Sequence, residues 1–373
     1  MSYLGENIPK LGFGLMRLPM LGEEVDIEQT KTMVDMFLNA GFTYFDTAYG
    51  YLSGKSEEAI KTALVDRYPR ESFQLATKLP AWAGPTTAEE AKEMFYTSLK
   101  RTGAGYFDFY LLHNLGDTRS EAFDKFGIWD FVQERKKEGL IKHVGFSMHD
   151  TADALDKVLT EHPEMEFVQL QINYADWDEP RTQSRLCYET ARKHGKPVVI
   201  MEPVKGGSLA NLPESVTKVF QEADPEASTS SWALRYAASL EGLVTVLSGM
   251  SNIAQMEDNL KTMKGFKPLN EQERAVIDKA QEALMAIPRV PCTSCQYCVK
   301  GCPQNINIPG VFEAMNTLMV FGNEPGAKGG YSFQTRNGAK ASSCIQCGQC
   351  EAACPQHIEI IGQLQKAAEI FGE

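Results

Sequence analysis

The stretch Phe-Asp-Thr-Ala-Tyr-Gly-Tyr, residues 45–51, lies where a short β-prone run beginning at Thr43 ends. A carboxylate such as Asp46 is costly at the end of a buried strand unless a cation pairs with it. The phenols of Tyr49 and Tyr51 are potential proton donors. The stretch therefore predicts the rim of an active site, and it requires a cation from another part of the chain.

Around this stretch, segments of β-like composition alternate with segments whose apolar residues recur at helical spacing. The first helix-like segment runs from Asp26 to Ala40, and another begins at Thr87 with Glu90 in a capping box. The eight strand candidates are 11–18, 43–47, 73–78, 108–113, 143–148, 167–173, 197–203 and 244–249. Each precedes a helix-like segment, which predicts an α/β fold of the (β/α)8 TIM barrel class.

Polar residues end several predicted strands at nearly constant intervals. Lys78 lies 32 residues after Asp46 (78−46), and His113 lies 35 after Lys78 (113−78). Ser147 lies 34 after His113 (147−113). One βα unit separates each residue from the next, so we expect all four at the C-terminal face of one barrel, where such enzymes carry out their chemistry.

These side chains form a proton-donating set. A free phenol has a pKa of about 10, and an ammonium within about 4 to 6 Å lowers that pKa by stabilising the phenolate. We expect Lys78 to act in this way on Tyr51, and Asp46 to keep Lys78 charged and oriented. His113 is placed to hydrogen-bond an oxygen of the substrate.

The order and spacing of the four residues resemble the aldo-keto reductase family. Its tetrad is an Asp, a Tyr five residues later, and a Lys and a His at successive strand ends, as Asp46, Tyr51, Lys78 and His113 are here. The resemblance covers about residues 8–264 and selects Tyr51 rather than Tyr49 as the acid. It implies an oxidoreductase, a carbonyl reductase or alcohol dehydrogenase, in which hydride passes between a nicotinamide and the substrate carbon while Tyr51 protonates the oxygen.

The same resemblance implies a set of cofactor contacts. Ser147 and Gln169 fall where the family contacts the nicotinamide carboxamide, and Met201 falls where a ring usually stacks on the nicotinamide. Met148 stands where the family usually has Asn, and the thioether of Met201 packs less specifically than a ring. The positions implied for the diphosphate and the adenosine are Lys205, Gly249, Ser251, Gln255, Asp258 and Asn259.

The segment Ser248 to Asn259 bears on the choice between NAD(H) and NADP(H). Many relatives grip the 2′-phosphate of NADPH with Lys or Arg, and this segment contains neither. Because charge-assisted hydrogen bonds contribute about 1.5 to 3 kcal/mol each, we expect a lean to NAD(H) or use of both cofactors. Arg17 has three open roles: binding a substrate carboxylate, binding a cofactor phosphate, or forming a surface ion pair.

Two further residues have open interpretations. His149 either lines the substrate pocket or has a capping or solvated role with Asp150. Trp82 either walls the pocket or covers the top of the barrel. The predicted pocket loops make no single chemical demand, so the substrate is not identified beyond a small carbonyl or alcohol compound.

Eight of the nine cysteines form a repeated run near the C-terminus. The run Cys292-x2-Cys295-x2-Cys298-x3-Cys302-Pro303 recurs as Cys344-x2-Cys347-x2-Cys350-x3-Cys354-Pro355. In a chain without a signal peptide, such clustering indicates metal ligation rather than disulfides. Three thiolates at intervals of three can hold three corners of an iron-sulfur cubane, and the fourth points toward the other cluster. Zinc is the alternative, although structural zinc sites use paired cysteines.

The pattern resembles the two-cluster bacterial ferredoxins. By that resemblance one [4Fe-4S] cluster takes Cys292, Cys295, Cys298 and Cys354, and the other takes Cys344, Cys347, Cys350 and Cys302. The two runs are 42 residues apart (344−302), and the insert contains a helical piece around 311–321 and a Gly-rich loop at 326–330. This insert predicts the α-helical variety of the ferredoxin-like fold.

Length and composition allow two domains. A chain of 373 residues with 43% hydrophobic content can bury a barrel-sized core and carry an appendage. We predict the barrel at 1–264, a linker helix within 265–291 and the ferredoxin-like domain at 292–373. The net charge of −12 argues against nucleic acid or an anionic membrane as the main partner. Without a signal segment or an apolar run of about 18 residues, the chain is expected to be cytoplasmic.

Three hypotheses for the whole chain remain open. A nicotinamide carries two electrons as hydride and an iron-sulfur cluster carries one, and no flavin fingerprint is visible that would convert between them. The first hypothesis is a reductase whose clusters exchange electrons with a separate redox protein or sense redox state. The second is a reductase with a structural or docking iron-sulfur module. The third is an electron-transfer or regulatory protein whose barrel binds nicotinamide without turnover.

Overall fold

The computed structural model describes residues 3–116 and 119–372. Its strands are β1 (Leu11–Gly14), β2 (Met20–Leu21), β3 (Glu24–Val25), β4 (Tyr44–Asp46), β5 (Gln74–Leu79), β6 (Phe107–Leu115), β7 (Ile141–Met148), β8 (Phe167–Gln171), β9 (Val198–Met201) and β10 (Leu243–Ser248). Strands β1 and β4 to β10 are parallel and close into a barrel in which β1 pairs with both β4 and β10. Strands β2 and β3 form a separate antiparallel hairpin. The predicted (β/α)8 TIM barrel is confirmed, and each predicted strand segment overlaps one barrel strand.

Helices alternate with the barrel strands, and the regular elements described after β10 are all helical. They are α1 (Ile27–Asn39), α2 (Lys55–Ile60), α3 (Ala88–Thr102), α4 (Ser120–Lys125), α5 (Ile128–Lys137), α6 (Ala152–Glu161), α7 (Ser184–Lys193), α8 (Glu214–Ala223), α9 (Thr229–Ala238), α10 (Ile253–Met263), α11 (Glu271–Met285), α12 (Tyr297–Lys300), α13 (Ile308–Phe321), α14 (Glu324–Thr335), α15 (Gln349–Ala352) and α16 (Ile360–Phe371). None of the described helices is long and apolar enough to cross a membrane.

Side-chain caps begin several of these helices. Asp26 caps α1 by accepting a hydrogen bond from the backbone N–H of Gln29. Thr87 and Glu90 form the predicted capping box of α3. Asn270 begins α11 in the same way. Each cap satisfies N–H groups that have no partner within the helix, which explains where these helices start.

Apolar side chains fill the barrel interior, because both faces of a parallel barrel are buried. Phe109 packs there with its ring centroid 5.0 Å from that of Tyr44 and 5.2 Å from that of Phe167. Lys10 ties the N-terminal segment to the start of β10, since its Nζ donates to the carbonyl oxygen of Leu243 at 2.7 Å. The polar side chains of the predicted site lie at the other, C-terminal ends of the strands.

The chain divides into two compact units. The first comprises the residues up to Pro203 together with Ala233–Leu269, and it contains the whole barrel sheet. The second comprises Val204–Trp232 and the chain from Asn270 onward, and within it α11 packs against α8. The domain boundaries at 264 and 291 stay predictions.

A repeat of 52 residues organises the end of the second unit. The two cysteine runs are 52 residues apart (344−292), as are the starts of α12 and α15 (349−297) and of α13 and α16 (360−308). Helices α13 and α16 pack against each other, and their buried side chains, including Phe312 and Leu364, form the core of this part. The predicted helical iron-sulfur region is confirmed as helical.

The Gly-rich loop predicted at 326–330 is wrong, because these residues lie inside α14. Asn323 caps this helix by accepting from the N–H of Gly326, and a proline stands in its first turn. Tyr331 is buried, stacks on Phe371 with ring centroids 4.2 Å apart, and accepts a hydrogen bond at its Oη from the N–H of Ala341. Tertiary packing and the cap thus offset the glycine cost of roughly 1 kcal/mol per residue in a helix.

Candidate active site

Asp46 and Lys78 form a buried ion pair at the ends of two neighbouring strands. Strand β4 ends at Asp46, and Lys78 lies one residue before the end of β5. The Lys78 Nζ donates to Asp46 Oδ1 at 2.5 Å, to the carbonyl oxygen of Thr47 at 2.8 Å and to Tyr51 Oη at 3.2 Å. An ammonium has three donors, so these acceptors fix its position. Lys78 is 1% exposed and Asp46 is 2% exposed, which keeps water from competing.

The pKa values within this pair follow from burial and charge. Burial alone would lower the pKa of Lys78, but Asp46 and Tyr51 outweigh it and raise that pKa overall. Lys78 is therefore an ammonium at any physiological pH. Asp46 Oδ2 has no hydrogen-bond partner in the part of the chain that the structure describes.

Tyr51, and not Tyr49, reaches the lysine. The chain turns sharply after Tyr51, with positive φ angles at Leu52 and Ser53, and this turn aims the phenol at Lys78. Tyr49 instead packs under the guanidinium of Arg101, whose Cζ lies 4.6 Å from its ring centroid. Of the two phenols, Tyr51 is the one that contacts Lys78, and its role as the acid stays a prediction.

The expected lowering of the Tyr51 pKa is only partly seen. Burial raises the pKa of Tyr51 more than Lys78 lowers it, and the charges of Asp46 and Glu202 raise it further. The net direction is therefore upward, opposite to the prediction. Enclosure of the phenol could not be read from the residue pattern, and it outweighs the nearby ammonium.

His113 lies beside Tyr51 at the end of β6, with ring centroids 5.9 Å apart and an edge-on angle of 79°. Burial first, and then the charge of Lys78, hold the pKa of His113 well below its usual range, so the imidazole is neutral near pH 7. Its backbone carbonyl accepts a hydrogen bond from Trp82 Nε1 at 2.7 Å. His113 Nδ1 has no hydrogen-bond partner among residues 3–116 and 119–372. A neutral imidazole can donate one hydrogen bond to an oxygen placed between it and Tyr51.

The residues predicted to hold the carboxamide lie side by side on β7, β8 and β9. Ser147 pairs in register with Gln169, and both side chains are buried. Gln169 Nε2 lies 3.6 Å from the Met201 sulfur, and Gln169 Oε1 has no partner within the described residues. The Ser147 Oγ accepts from the backbone N–H of Asn114 at 2.8 Å, which leaves its own O–H to donate. A donor and an acceptor therefore face this site, as a carboxamide requires.

The predicted adenosine segment is held by its own side chains. Gln255 Oε1 accepts from the backbone N–H of Ser251 at 2.7 Å, and Asn259 Nδ2 donates to Ser248 Oγ at 2.6 Å. Asn252 caps α10. The loop is thus ordered in advance, and these bonds use Gln255 Oε1 and Asn259 Nδ2 but not Gln255 Nε2 or Asn259 Oδ1.

Arg17 brings a cation to this segment. A Cβ at Gly249 would lie 3.4 Å from Arg17 Cδ, so the arginine stem runs alongside the Gly249 backbone. The segment 248–259, which contains no Lys or Arg, thus has a cation beside it from the turn after β1. Asp258 lies on α10, and Lys205 belongs to the second compact unit. Their roles stay predictions.

His149 belongs to a polar relay that runs inward from the barrel mouth. Its Nδ1 is 3.2 Å from Gln171 Oε1, and Gln171 Nε2 donates to the buried carboxylate of Asp176 at 2.9 Å. Asn173 Nδ2 donates to the same Asp176 oxygen at 2.7 Å. His149 is exposed at the mouth, yet desolvation by the surrounding protein lowers its pKa, so a neutral ring donates from Nδ1 and presents Nε2 as an acceptor. Of the two interpretations, the pocket-lining one fits this geometry.

Two cavities in the second unit are each lined by four cysteines. Three come from one run and the fourth from the other, as in the crossed sets implied by the ferredoxin resemblance. The first cavity contains Cys292, Cys295, Cys298 and Cys354, and the second contains Cys302, Cys344, Cys347 and Cys350. Apolar side chains such as Phe312 and Leu364 complete the walls.

These cavities suit a cluster better than a single ion. Within the described residues, no group of three or more Cys, His, Asp or Glu side chains lies close enough to hold one metal ion. A cubane needs its cysteines spread around a larger body than zinc does. The ninth cysteine, Cys187, is buried in α7, and burial raises the pKa of its thiol to about 11, in keeping with a packing role.

The backbone around both cavities has the same unusual conformation. Positive φ angles occur at the paired positions Ser294 and Gln346, Gln296 and Gly348, and Asn305 and His357. Each pair is separated by 52 residues, for example 346−294. Left-handed residues between right-handed ones turn successive N–H groups inward, which is a common cradle for anions and iron-sulfur groups. The repeat is thus structural as well as sequential.

Comparison with known proteins places both parts of the chain. Residues 10–282 match the profile described as the aldo/keto reductase family, and residues 291–359 match a 4Fe-4S dicluster domain. An uncharacterized oxidoreductase of Bacillus subtilis, YqkF, is 25% identical over 303 residues, covering 72% of this chain and 92% of that protein.

Solved structures give the same result for the barrel. The holo form of aldo-keto reductase AKR11C1 from Bacillus halodurans matches with a TM-score of 0.61 and 27% identity, covering 76% of this chain and 96% of that one. An aldo-keto reductase from Klebsiella pneumoniae in complex with NADPH matches in fold with a TM-score of 0.57 and 20% identity, covering 75% of this chain and 95% of that one.

Proposed function

The chain belongs to the aldo/keto reductase family, and we propose that it transfers hydride between a nicotinamide cofactor and a small carbonyl or alcohol compound. The observation that carries this proposal is the contact of Lys78 Nζ with both Asp46 and Tyr51 beside a neutral His113. A protonated phenol, a buried cation and a neutral donor suit the protonation of a carbonyl oxygen.

Tyr51 acts as the general acid in reduction. The nicotinamide, when bound, supplies a hydride to the carbonyl carbon. Tyr51 gives its proton to the carbonyl oxygen, so that a C=O bond becomes H–C–O–H, and the resulting phenolate faces Lys78 at 3.2 Å. His113 donates a hydrogen bond to the same oxygen and holds it within reach of the phenol. In the alcohol-oxidising direction, the Tyr51 phenolate removes the hydroxyl proton.

Ser147 and Gln169 are proposed to orient the carboxamide of the cofactor. The partnerless Gln169 Oε1 can accept from the amide N–H2, and the Ser147 hydroxyl can donate to the amide oxygen. Met148 is buried and apolar, so it replaces the amide common in the family without its hydrogen bond. Met201 packs beside Gln169 where a ring would otherwise stack.

For the rest of the cofactor, we retain the lean to NAD(H) or to both nucleotides. The segment 248–259 carries no cation of its own. Arg17, beside Gly249, is assigned to a cofactor phosphate. The Klebsiella pneumoniae protein of the same fold was solved with NADPH, so use of NADPH is the competing outcome.

The two cysteine-lined cavities are proposed to hold two [4Fe-4S] clusters with crossed ligation. The four cysteines around each cavity, the repeated left-handed backbone positions and the apolar walls all favour such a group. When bound, the clusters can exchange single electrons with a separate redox protein. If their role is structural, they transfer no electrons.

The test is an assay of NADH and NADPH oxidation against a panel of aldehydes and ketones, with protein purified without oxygen. Tyr51→Phe should lower the reduction rate by about 10² to 10⁴-fold, because a positioned general acid contributes that much. Tyr49→Phe is the matched control and should retain activity.

The iron-sulfur module is tested in the same assay. Loss of activity in Cys295→Ala as well as in Tyr51→Phe would support coupling between clusters and barrel, and loss only in Tyr51→Phe would support a structural module. A wild-type protein that reduces no carbonyl compound would refute the reductase assignment.

A further inference from the structure

Glu57 is a fully buried carboxylate near the active site that takes no part in the proton transfer itself. It lies in α2. Its Oε1 accepts a hydrogen bond from Thr77 Oγ1 at 2.7 Å, and its Oε2 accepts one from Arg101 Nη1 at 3.3 Å. Thr77 directly precedes Lys78 on β5. Because a carboxylate removed from water needs such partners, Glu57 joins the strand of the lysine to Arg101.

Arg101 extends this contact to the turn that carries Tyr51. It lies in the last turn of α3, and its Nη1 also donates to the backbone carbonyl oxygen of Tyr49 at 3.0 Å. The guanidinium packs on the Tyr49 ring as well. The backbone N–H of Tyr49 donates to the carbonyl oxygen of Lys78 at 3.1 Å. Both polar backbone groups of Tyr49, two residues before the proposed acid, are therefore held.

Gly54 makes room for the guanidinium at the end of the same turn. A Cβ at Gly54 would lie 2.8 Å from Arg101 Cζ and 2.9 Å from both of its terminal nitrogens. Gly54 also has a φ of +94°, in the left-handed region that favours glycine. The guanidinium therefore occupies space that only a glycine leaves open, and it lies against both ends of the turn 49–54.

The ion pair thus connects the two groups whose separation matters for the acid. Tyr51 Oη lies 3.2 Å from Lys78 Nζ. The connection ends on one side at the residue before Lys78 and on the other side two residues before Tyr51. A displacement of about 1 Å in an active site can cost about 10²-fold in rate, so contacts that fix this distance bear on turnover.

We propose that Arg101 and Glu57 are positioning residues for the general acid. Their ion pair holds the turn 49–54 in the conformation that keeps Tyr51 within reach of Lys78. This inference rests on the proposed reductase function and adds two residues to those that the reaction needs. Their effect passes through the backbone of the turn, and neither residue gives or takes the proton.

The experiment measures nicotinamide oxidation in a single turnover with an aldehyde that the wild-type protein reduces. Arg101→Met keeps an unbranched side chain and removes both donated hydrogen bonds, so this rate should fall by about 10- to 100-fold. KM and the dissociation constant of the nicotinamide, measured by fluorescence, should change by less than about threefold. Arg101→Lys keeps the charge and one donor, and it should recover part of the rate.

Glu57→Gln tests the other member of the pair. The amide keeps the size of the side chain and an acceptor for Thr77, but it removes the negative charge that holds Arg101. The single-turnover rate should fall by about tenfold, again with little change in KM.

Arg70→Met is the matched control. Arg70 also pairs with a buried carboxylate, that of Asp108, and also donates to backbone carbonyls, but it lies at the start of the barrel strands. This variant should lose stability toward urea as Arg101→Met does, and it should keep the wild-type single-turnover rate.

Hydrogen exchange of the full-length protein gives a readout without turnover. The backbone N–H groups of Tyr51 and Ser53 donate within the turn, to the carbonyl oxygens of Ala48 and Gly50. In Arg101→Met, N–H groups in 49–54 should exchange at least about tenfold faster than in the wild type. In Arg70→Met they should exchange at the wild-type rate.

Two results would overturn the proposal. One is an Arg101→Met protein that keeps the wild-type single-turnover rate. The other is an equal loss of rate in Arg101→Met and Arg70→Met, which would mean that the ion pair only stabilises the barrel. Failure of the reductase assignment itself is distinguishable, because the wild type would then reduce no aldehyde while hydrogen exchange in 49–54 would still depend on Arg101.

Discussion

Lys78 has two proposed roles: it stabilises the barrel through its ion pair with Asp46, and it assists Tyr51 as the acid. Replacing Lys78 by methionine should separate these roles. The substitution keeps the side-chain length and removes the charge. It leaves the Asp46 carboxylate, 2% exposed, without its counter-ion. Breaking a buried ion pair by removing one partner costs about 3 to 5 kcal/mol.

The assay for stability is urea unfolding under anaerobic conditions. With an m value of about 3 kcal/mol/M for a protein of this size, the midpoint of the barrel transition should fall by roughly 1 to 2 M. The double variant Asp46→Leu, Lys78→Met removes both charges and should regain most of that loss, since an apolar pair of similar volume is often neutral in stability.

Catalysis should respond differently. Lys78→Met removes the cation 3.2 Å from Tyr51 Oη, and the double variant does not restore it, so both should reduce carbonyls at least about 10²-fold more slowly than wild type. Lys10→Met is the control, because Lys10 also donates to buried carbonyls but does so at the start of the barrel strands. It should lose stability and keep its activity. Recovery of activity together with stability in the double variant would refute the assignment of Lys78 to the acid.

Two further predictions concern the pH profile and the cysteines. Because the pKa of Tyr51 is raised and that of His113 is well below 6.5, kcat/KM for reduction should stay level across neutral pH and fall only above about pH 10, where Tyr51 loses its proton. An inflection near pH 6.5 that disappears in His113→Gln would contradict this. If ligation is crossed, the double variant Cys302→Ala, Cys344→Ala should keep about four of about eight irons, whereas Cys302→Ala, Cys292→Ala should lose nearly all of them. Iron analysis checks this, and the reverse pattern would mean that each run binds its own cluster.

The barrel, and the position of the four tetrad residues at its mouth, could be predicted because their determinants are local and periodic. One βα unit separates Asp46 from Lys78, and another separates Lys78 from His113. Parallel strands bring their carboxyl ends to one edge. The five-residue step to Tyr51 is a local turn. The crossed cysteine sets rest on the resemblance to two-cluster ferredoxins, and their ligation of clusters stays a prediction.

The remaining features depend on tertiary context. The pKa of Tyr51 rises because the phenol is enclosed, and no spacing rule reports enclosure. Gly326 lies in a helix despite the low helix propensity of glycine, because the neighbouring residues pack. Glu202 reaches the mouth from a loop whose path no periodic pattern determines. The sequence leaves Arg17 with three open roles, and only the folded chain brings its stem beside Gly249.

The central claim is direct hydride transfer with Tyr51 as the acid, and isotope transfer tests it most directly. Reduction of an aldehyde with nicotinamide deuterated at C4, on the face from which hydride leaves, should place one deuterium on the carbinol carbon of the alcohol. Tyr51→Phe should form the same labelled alcohol far more slowly. Oxidation of the deuterated cofactor without deuterium in the product would contradict the account, because the electrons would then leave the barrel by another route.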